Sequence, residues 1–289
     1  MPSSSEARPR RTGPIVIGAV IAAAGLAFGG LTAAYAASHS AGGHPSVAQQ
    51  AKHVQAEDNH VPKDGNALLN VNVLEDQVEH YYGSASRTYP VVGKVTVPAS
   101  NSPYARQMRA ISTRAIAWLA AAKKHVKPGE KPAVVFDIDD TLVNTYDYTL
   151  SAQFGYDPTE NAVWVNNAAF PAVFGMPKVV AAARHDGFST FFITGRPEAQ
   201  RSATVANLKQ DGYGTVSDSH LFLKPTTPPA YLNCPSTGCS TIQYKSGTRA
   251  HLAAGGYTIV ADFGDQFSDL LGGHAGHQVK LPNPMYYLP

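Results

Sequence analysis

The chain has 289 residues, 44% of them hydrophobic, and a formal net charge of +2. That length can bury one sizeable core, and the near-neutral balance excludes a protein built on a basic surface for nucleic acid. The basic surplus is concentrated at one end, where Arg8, Arg10 and Arg11 precede an uncharged run from Ile15 to about Ala37.

Ala34-Tyr35-Ala36 places small residues at the two positions an export peptidase reads, so residues 1–36 are expected to be a signal peptide. Left uncleaved, the same run is long enough for a membrane anchor, since about 20 apolar residues span a bilayer. Either way export is expected, with the protein secreted or held on the outer face of the cell membrane. Arg10-Arg11 lacks the apolar context of a twin-arginine signal. Without the leader, which carries Arg8, Arg10, Arg11 and Glu6, the net charge falls from +2 to zero.

Residues 37–66 are polar, with Gly, His, Gln and Pro and no period, and read as a flexible tether to a domain over 67–289. Ala67 to Tyr82 suggests a strand-like start and then a short helix. Ser102-Pro103 opens a strong helix, with Ala105, Met108, Ile111, Ala115, Leu119 and Ala122 at helical spacing, and Lys127-Pro128-Gly129 stops it. Ala133 to Phe136 is a buried strand. Beyond it, strands at 188–193, 221–223, 257–261 and 278–281 alternate with helices at 177–184, 197–208 and about 246–253. This alternation predicts an α/β fold, a parallel sheet flanked by helices on both faces. The one large insertion, about 145–175, carries Tyr146, Tyr148, Phe154, Tyr156, Trp164, Phe170 and Phe174. It is too small for an independent lid domain, and its aromatics either wall a leaving-group pocket or form the insertion's own core. There is no internal repeat. Cys234 and Cys239 are the only cysteines, and in an oxidising compartment they are expected to form a small disulfide loop; further ligands for zinc are missing nearby.

The most informative stretch is Val134-Val135-Phe136-Asp137-Ile138-Asp139-Asp140-Thr141-Leu142. On an extended chain, residues i and i+2 share a side, so Asp137 and Asp139 face one pocket at the carboxyl end of a strand while Ile138 turns into the core. That edge of an open α/β sheet is where ligands bind. Paired acids there suit a divalent metal, a nucleophile or an acid/base pair. Three further segments end core elements in the same way. Phe192-Ile193-Thr194-Gly195-Arg196-Pro197 runs from an apolar strand into a hydroxyl and free N–H groups before a helix, a natural phosphate cradle. Tyr244-Lys245-Ser246 leads into a helix. Ile259 to Asp269 ends a strand in Gly264-Asp265 with Asp269 four residues on.

Taken in order, these four segments resemble the signature of the haloacid dehalogenase (HAD) superfamily: D-x-D-x-T, an apolar strand ending in Ser/Thr, a Lys, then G-D-x-x-x-D. The phrases FDIDDTL, ITGRPE, YKS and GDQFSDL, and the ending from Lys280 through Leu281-Pro282-Asn283-Pro284-Met285-Tyr286-Tyr287, are most similar to the minimally capped acid phosphatases of subfamily III, the class B and plant vegetative storage protein group. The resemblance covers about Ala67 to the C-terminus. It implies a HAD-type, Rossmann-like sheet with a small cap inserted after the first motif, and an Mg²⁺-dependent acid phosphatase acting on small phosphate monoesters through an aspartyl-phosphate. Under that resemblance Asp137 is the nucleophile and Asp139 the general acid/base. Asp137, Asp265 and the Asp139 carbonyl hold Mg²⁺, with Asp269 acting through water or by orienting a neighbour. Thr194 and the Gly195 amide bind phosphoryl oxygens, and Lys245 neutralises them, in preference to Lys224, which also ends a strand. Arg196 either clamps phosphate or pairs with Glu198. Asp262 is given no role, and no histidine is given one. The alternatives are a catalytically weak storage or surface-binding protein on the same fold, although storage relatives sometimes lack the nucleophile this chain keeps, or a phosphotransferase to alcohol acceptors.

Overall fold

A single amide side chain opens the first described helix: Asn70 accepts a hydrogen bond from the Asn72 N–H at 2.9 Å and caps helix α1, Val71–Tyr82. The computed structural model describes residues 70–89, 93–235 and 238–288, so the expected leader and tether lie outside the described residues. The strand-like start expected ahead of Tyr82 is helical from Val71 onward. Only Tyr82 of this helix is fully buried, stacking on Tyr146 at 4.7 Å and packing against Tyr104 at 4.4 Å between ring centroids. An antiparallel hairpin follows, β1 (Ala85–Tyr89) with β2 (Gly93–Val97). It has no counterpart in the apolar pattern, because only Tyr89 and Val95 of its residues are buried.

Helix α2, Pro103–Lys123, is capped by Ser102, starts on proline, and buries the stripe Tyr104, Ala105, Met108, Ser112, Ala115 and Leu119. It delivers the chain to β3, Lys131–Phe136. The insertion then forms two short helices, α3 (Tyr146–Ser151) and α4 (Pro158–Asn166). Of its aromatics, Tyr146, Tyr148 and Phe170 are core, whereas Tyr156 is 73% exposed. Helix α5 (Met176–His185), β4 (Ser189–Pro197), α6 (Arg201–Gln210), β5 (Leu221–Lys224), α7 (Thr241–Ala254), β6 (Tyr257–Gly264), α8 (Phe267–Leu270) and β7 (His277–Lys280) complete the alternation.

Two boundaries differ from expectation. The helix expected from residue 197 begins at Arg201, because β4 runs on through Pro197 into a single 3-10 turn, Glu198–Gln200. Proline's fixed φ and extended ψ carry the strand direction past Thr194. Helix α7 begins at Thr241, where Ser240 and Gln243 form a reciprocal capping box, so Lys245 stands in the second turn and not at the helix start.

The five strands are ordered β5-β4-β3-β6-β7, and every neighbouring pair is parallel. Strand β3 is central and buried on both faces. Val134 and Phe136 join the core under α2 and α5, while Ala133 and Val135 join a second core under α7 with Tyr244 and Leu252. Among the described residues no helix is long and apolar enough to cross a membrane.

Candidate active site

Parallel strands in level register bring their carboxyl ends to one edge, and here the register aligns three phenylalanines. Phe136 pairs with Phe192 of β4 and Phe263 of β6, with ring centroids 6.1 and 4.9 Å away. A one-residue irregularity in β6, opposite Ala133 and Val134, sets that alignment. Immediately past this apolar floor stand Asp137 after Phe136, Thr194 two residues after Phe192, and Gly264-Asp265 after Phe263. The Asp137 N–H donates to the Phe263 carbonyl at 2.9 Å, continuing the ladder by one bond and orienting the acid. Ile138 is fully buried, as the alternation requires.

Asp137 is paired with Lys245, whose ammonium donates to Asp137 Oδ1 and, at 2.6 Å, to Asp269 Oδ1. Asp269 Oδ2 accepts from the Gln266 N–H at 2.8 Å, so both of its oxygens are engaged. Burial pushes the Asp137 carboxyl well above its usual range; Lys245 opposes this, and Asp269, Asp265 and Asp139 add to it. Burial alone would lower the Lys245 ammonium, but Asp137 and Asp269 outweigh it and raise its pKa, so it stays charged.

Asp139 has a different cation. Arg196 grips it in a fork, Nε donating to Oδ2 at 2.9 Å and Oδ1 at 3.2 Å, and Nη2 to Oδ1 at 2.6 Å. Arg196 itself is held by Nη1 on Thr204 Oγ1 at 3.1 Å and lies over the Phe170 ring at 5.7 Å. The pairing with Glu198 expected as one alternative is not made: Glu198 pairs with Arg201 at 2.5 Å instead. The Arg196 N–H donates to Thr194 Oγ1 at 3.1 Å, which leaves the threonine proton to donate elsewhere, and Gly195 is exposed at the mouth. Lys224 is away from this group, donating to the Cys239 carbonyl at 3.1 Å beside the Cys234–Cys239 disulfide, whose Cα atoms are 4.9 Å apart.

Asp265 accepts from Thr141 Oγ1 at 3.2 Å on Oδ1, and from Gln266 Nε2 at 2.7 Å and Asn283 Nδ2 at 2.8 Å on Oδ2. Burial first, then Asp269 and Asp140, push its carboxyl up to about 7, against the two amides. Asp140 takes four donors: the Thr145 N–H at 3.0 Å, Thr145 Oγ1 at 2.5 Å, Asn144 Nδ2 at 3.3 Å and Tyr286 Oη at 2.8 Å. It adopts φ 53°, the left-handed turn that sends the chain back after the two acids. Asp262 forms an ion pair with Arg249 at 2.8 Å. Arg249 also donates to the carbonyls of Asp269, Leu271 and Gly273 and so shapes the loop that carries Asp269. Asp140, Asn283, Tyr286 and Arg249 belong to the site's framework, although none of them is given a role from sequence. Asp140 stands there only within FDIDDTL, and Asn283 and Tyr286 only within the distinctive proline-rich ending after the last strand.

Asp137, Asp265 and Asp269 present carboxylate oxygens within 4.8 Å of one another, all three buried. Hard oxygen donors, and an excess of buried carboxylates over the one ammonium among them, fit a small divalent cation, which would also lower the raised pKa values.

Residues 71–289 match the family described as HAD superfamily, subfamily IIIB (acid phosphatase), and the chain belongs to that family. Among curated proteins it is 35% identical to the Stem 28 kDa glycoprotein of Glycine max, over 60% of this chain and 65% of that one. It is 36% identical to Acid phosphatase 1 of Solanum lycopersicum (53% and 58%), and 30% identical to Vegetative storage protein 2 of Arabidopsis thaliana (54% and 56%). The chain thus spans 56% to 65% of the length of these relatives. Among solved structures, the class C acid phosphatase from Bacillus anthracis aligns with TM-score 0.47 and 20% identity, covering 62% of this chain and 79% of that one.

Proposed function

We propose that the protein is an exported, Mg²⁺-dependent acid phosphatase that hydrolyses small phosphate monoesters through an aspartyl-phosphate. The observation that carries this reading is the division of cations: Lys245 on Asp137 and Arg196 on Asp139 give two acids, two residues apart, separate environments. Asp137 is the nucleophile. As its carboxylate oxygen bonds to phosphorus, the bond from phosphorus to the ester oxygen breaks, and protonated Asp139 passes its proton to that oxygen. Asp139, now a carboxylate, takes a proton from water as the water oxygen attacks phosphorus. The bond to Asp137 then breaks and phosphate leaves. Thr194 Oγ1 and the Gly195 N–H hold phosphoryl oxygens, and Lys245 balances their charge. Asp137, Asp265 and the Asp139 carbonyl would hold the cation, which when bound would supply charge neutralisation for the transferring group. Asp269, with both oxygens engaged, orients Lys245. The leader and the disulfide-compatible cysteines support export.

Asp137→Asn should abolish hydrolysis of a chromogenic phosphate ester while leaving the melting temperature within a few degrees of the parent, and EDTA should suppress the parent's turnover reversibly. Turnover retained by Asp137→Asn refutes the nucleophile. An inert parent protein loaded with Mg²⁺ favours a storage role, and phosphorylated glycerol among the products favours transfer.

A further inference from the structure

The segment after β7 crosses the mouth of the sheet and touches two loops that are far apart in sequence. Leu281 N–H donates to the Gly264 carbonyl at 2.8 Å, which starts the segment beside the Asp265 turn. Asn283 Nδ2 then donates to Asp265 Oδ2 at 2.8 Å, and its own Oδ1 accepts from the Met285 N–H at 2.9 Å, a tight turn that fixes the amide's direction. Three residues on, Tyr286 Oη donates to Asp140 Oδ2 at 2.8 Å. The segment is tied down on both sides of this tyrosine: Leu281 is fully buried and Met285 nearly so, the Leu288 N–H donates to Gln266 Oε1 at 3.0 Å, and Ser268 Oγ donates to the Leu288 carbonyl at 3.1 Å. Asp140 turns the loop carrying Asp137 and Asp139, whereas Asp265 belongs to the loop after β6. Among the described residues, the one side-chain bond joining those loops directly is Thr141 Oγ1 to Asp265 Oδ1, at a long 3.2 Å.

We propose that residues 281–288 are a strap that sets the spacing of the cation site, with Asn283 and Tyr286 as positioning residues acting through Asp265 and Asp140. The strap rests on the metal-dependent reading above. Its amide fixes Asp265 Oδ2 with a proton donor, in a carboxylate that stands within 4.8 Å of oxygens of Asp137 and Asp269. Its phenol anchors Asp140, the left-handed residue that directly follows Asp139. Partners of ligating groups of this kind are worth roughly ten- to a hundredfold in metal affinity.

The test is Mg²⁺ titration calorimetry on the intact protein and on Asn283→Ala and Tyr286→Phe, with thermal melts in EDTA as a folding control. The phenylalanine variant keeps the ring's packing and removes only the hydroxyl, so it remains interpretable if the alanine variant does not fold. The strap predicts a dissociation constant raised about tenfold or more in each variant, with turnover recovered at saturating Mg²⁺. Parental affinity in folded Tyr286→Phe overturns the inference while leaving the phosphatase reading intact. A parent that takes up no Mg²⁺ overturns both.

Discussion

Arg196→Ala removes the fork of three hydrogen bonds that holds Asp139. Buried charge-assisted bonds contribute about 1.5–3 kcal/mol each. Water replaces part of that here, because the Asp139 side chain is 29% exposed. A net loss of about 2 kcal/mol in the positioning of the acid corresponds to roughly 30-fold in rate. The loss should depend on the leaving group. An alkyl phosphate needs its departing oxygen protonated, so kcat should fall by about that factor. The nitrophenolate of a chromogenic ester departs with little help, and its kcat should fall only about threefold. Steady-state kinetics on glycerol phosphate and p-nitrophenyl phosphate, with inorganic phosphate as a competitive inhibitor, measure both. KM and the phosphate inhibition constant should stay within about twofold of the parent, and Arg196→Lys should recover part of the alkyl rate. Equal kcat losses on both substrates, together with weakened phosphate inhibition, would show that Arg196 clamps the phosphoryl group and that the reasoning from Asp139 is wrong.

Gly264→Ala tests the packing behind Lys245: a Cβ there would lie 2.4 Å from Asp269 Cβ and 2.6 Å from its Oδ2. Displacing Asp269 by about 1 Å moves its bonded lysine with it, and kcat/KM should drop on the order of a hundredfold, read in the same assay; an unchanged rate would separate Asp269 from the chemistry. Asp211 tests pH dependence away from the site. Burial pushes its carboxyl up to about 7, opposed by Arg87, and Asn207 Nδ2 donates to it at 2.9 Å. Because the folded pKa is raised, the folded state holds the proton more tightly than the unfolded chain. Stability is therefore greatest below the unfolded value near 4 and is lost as pH rises toward 7, by up to about 4 kcal/mol. Asp211→Asn keeps an acceptor for Asn207, so it should melt several degrees above the parent at pH 8, and the gap should close toward pH 4; a gap that does not change with pH refutes the assignment.

How much was legible follows from the range of the interactions. The alternation of strands and helices and the position of Asp137 and Asp139 at a strand's end rest on periods of two and 3.6 residues, which neighbouring residues express directly. The β1–β2 hairpin carried no such period, since its ribbon buries so little. The start of α7 was misplaced because its capping box, Ser240 with Gln243, directly follows the Cys234–Cys239 loop and precedes any apolar stripe.

Sequence alone placed Asp137, Asp139 and Thr194 at the carboxyl edge of a parallel sheet, because strand direction and side-chain alternation are local properties, whereas Lys245, on a helix, was placed only by the family resemblance. Only the tertiary structure decided which cation serves which acid. Lys245 reaches Asp137 across 108 positions, Arg196 reaches Asp139 across 57, and Tyr286 reaches Asp140 across 146. Pairings of that span depend on how helices dock and how strands register, and no local pattern in the chain encodes them.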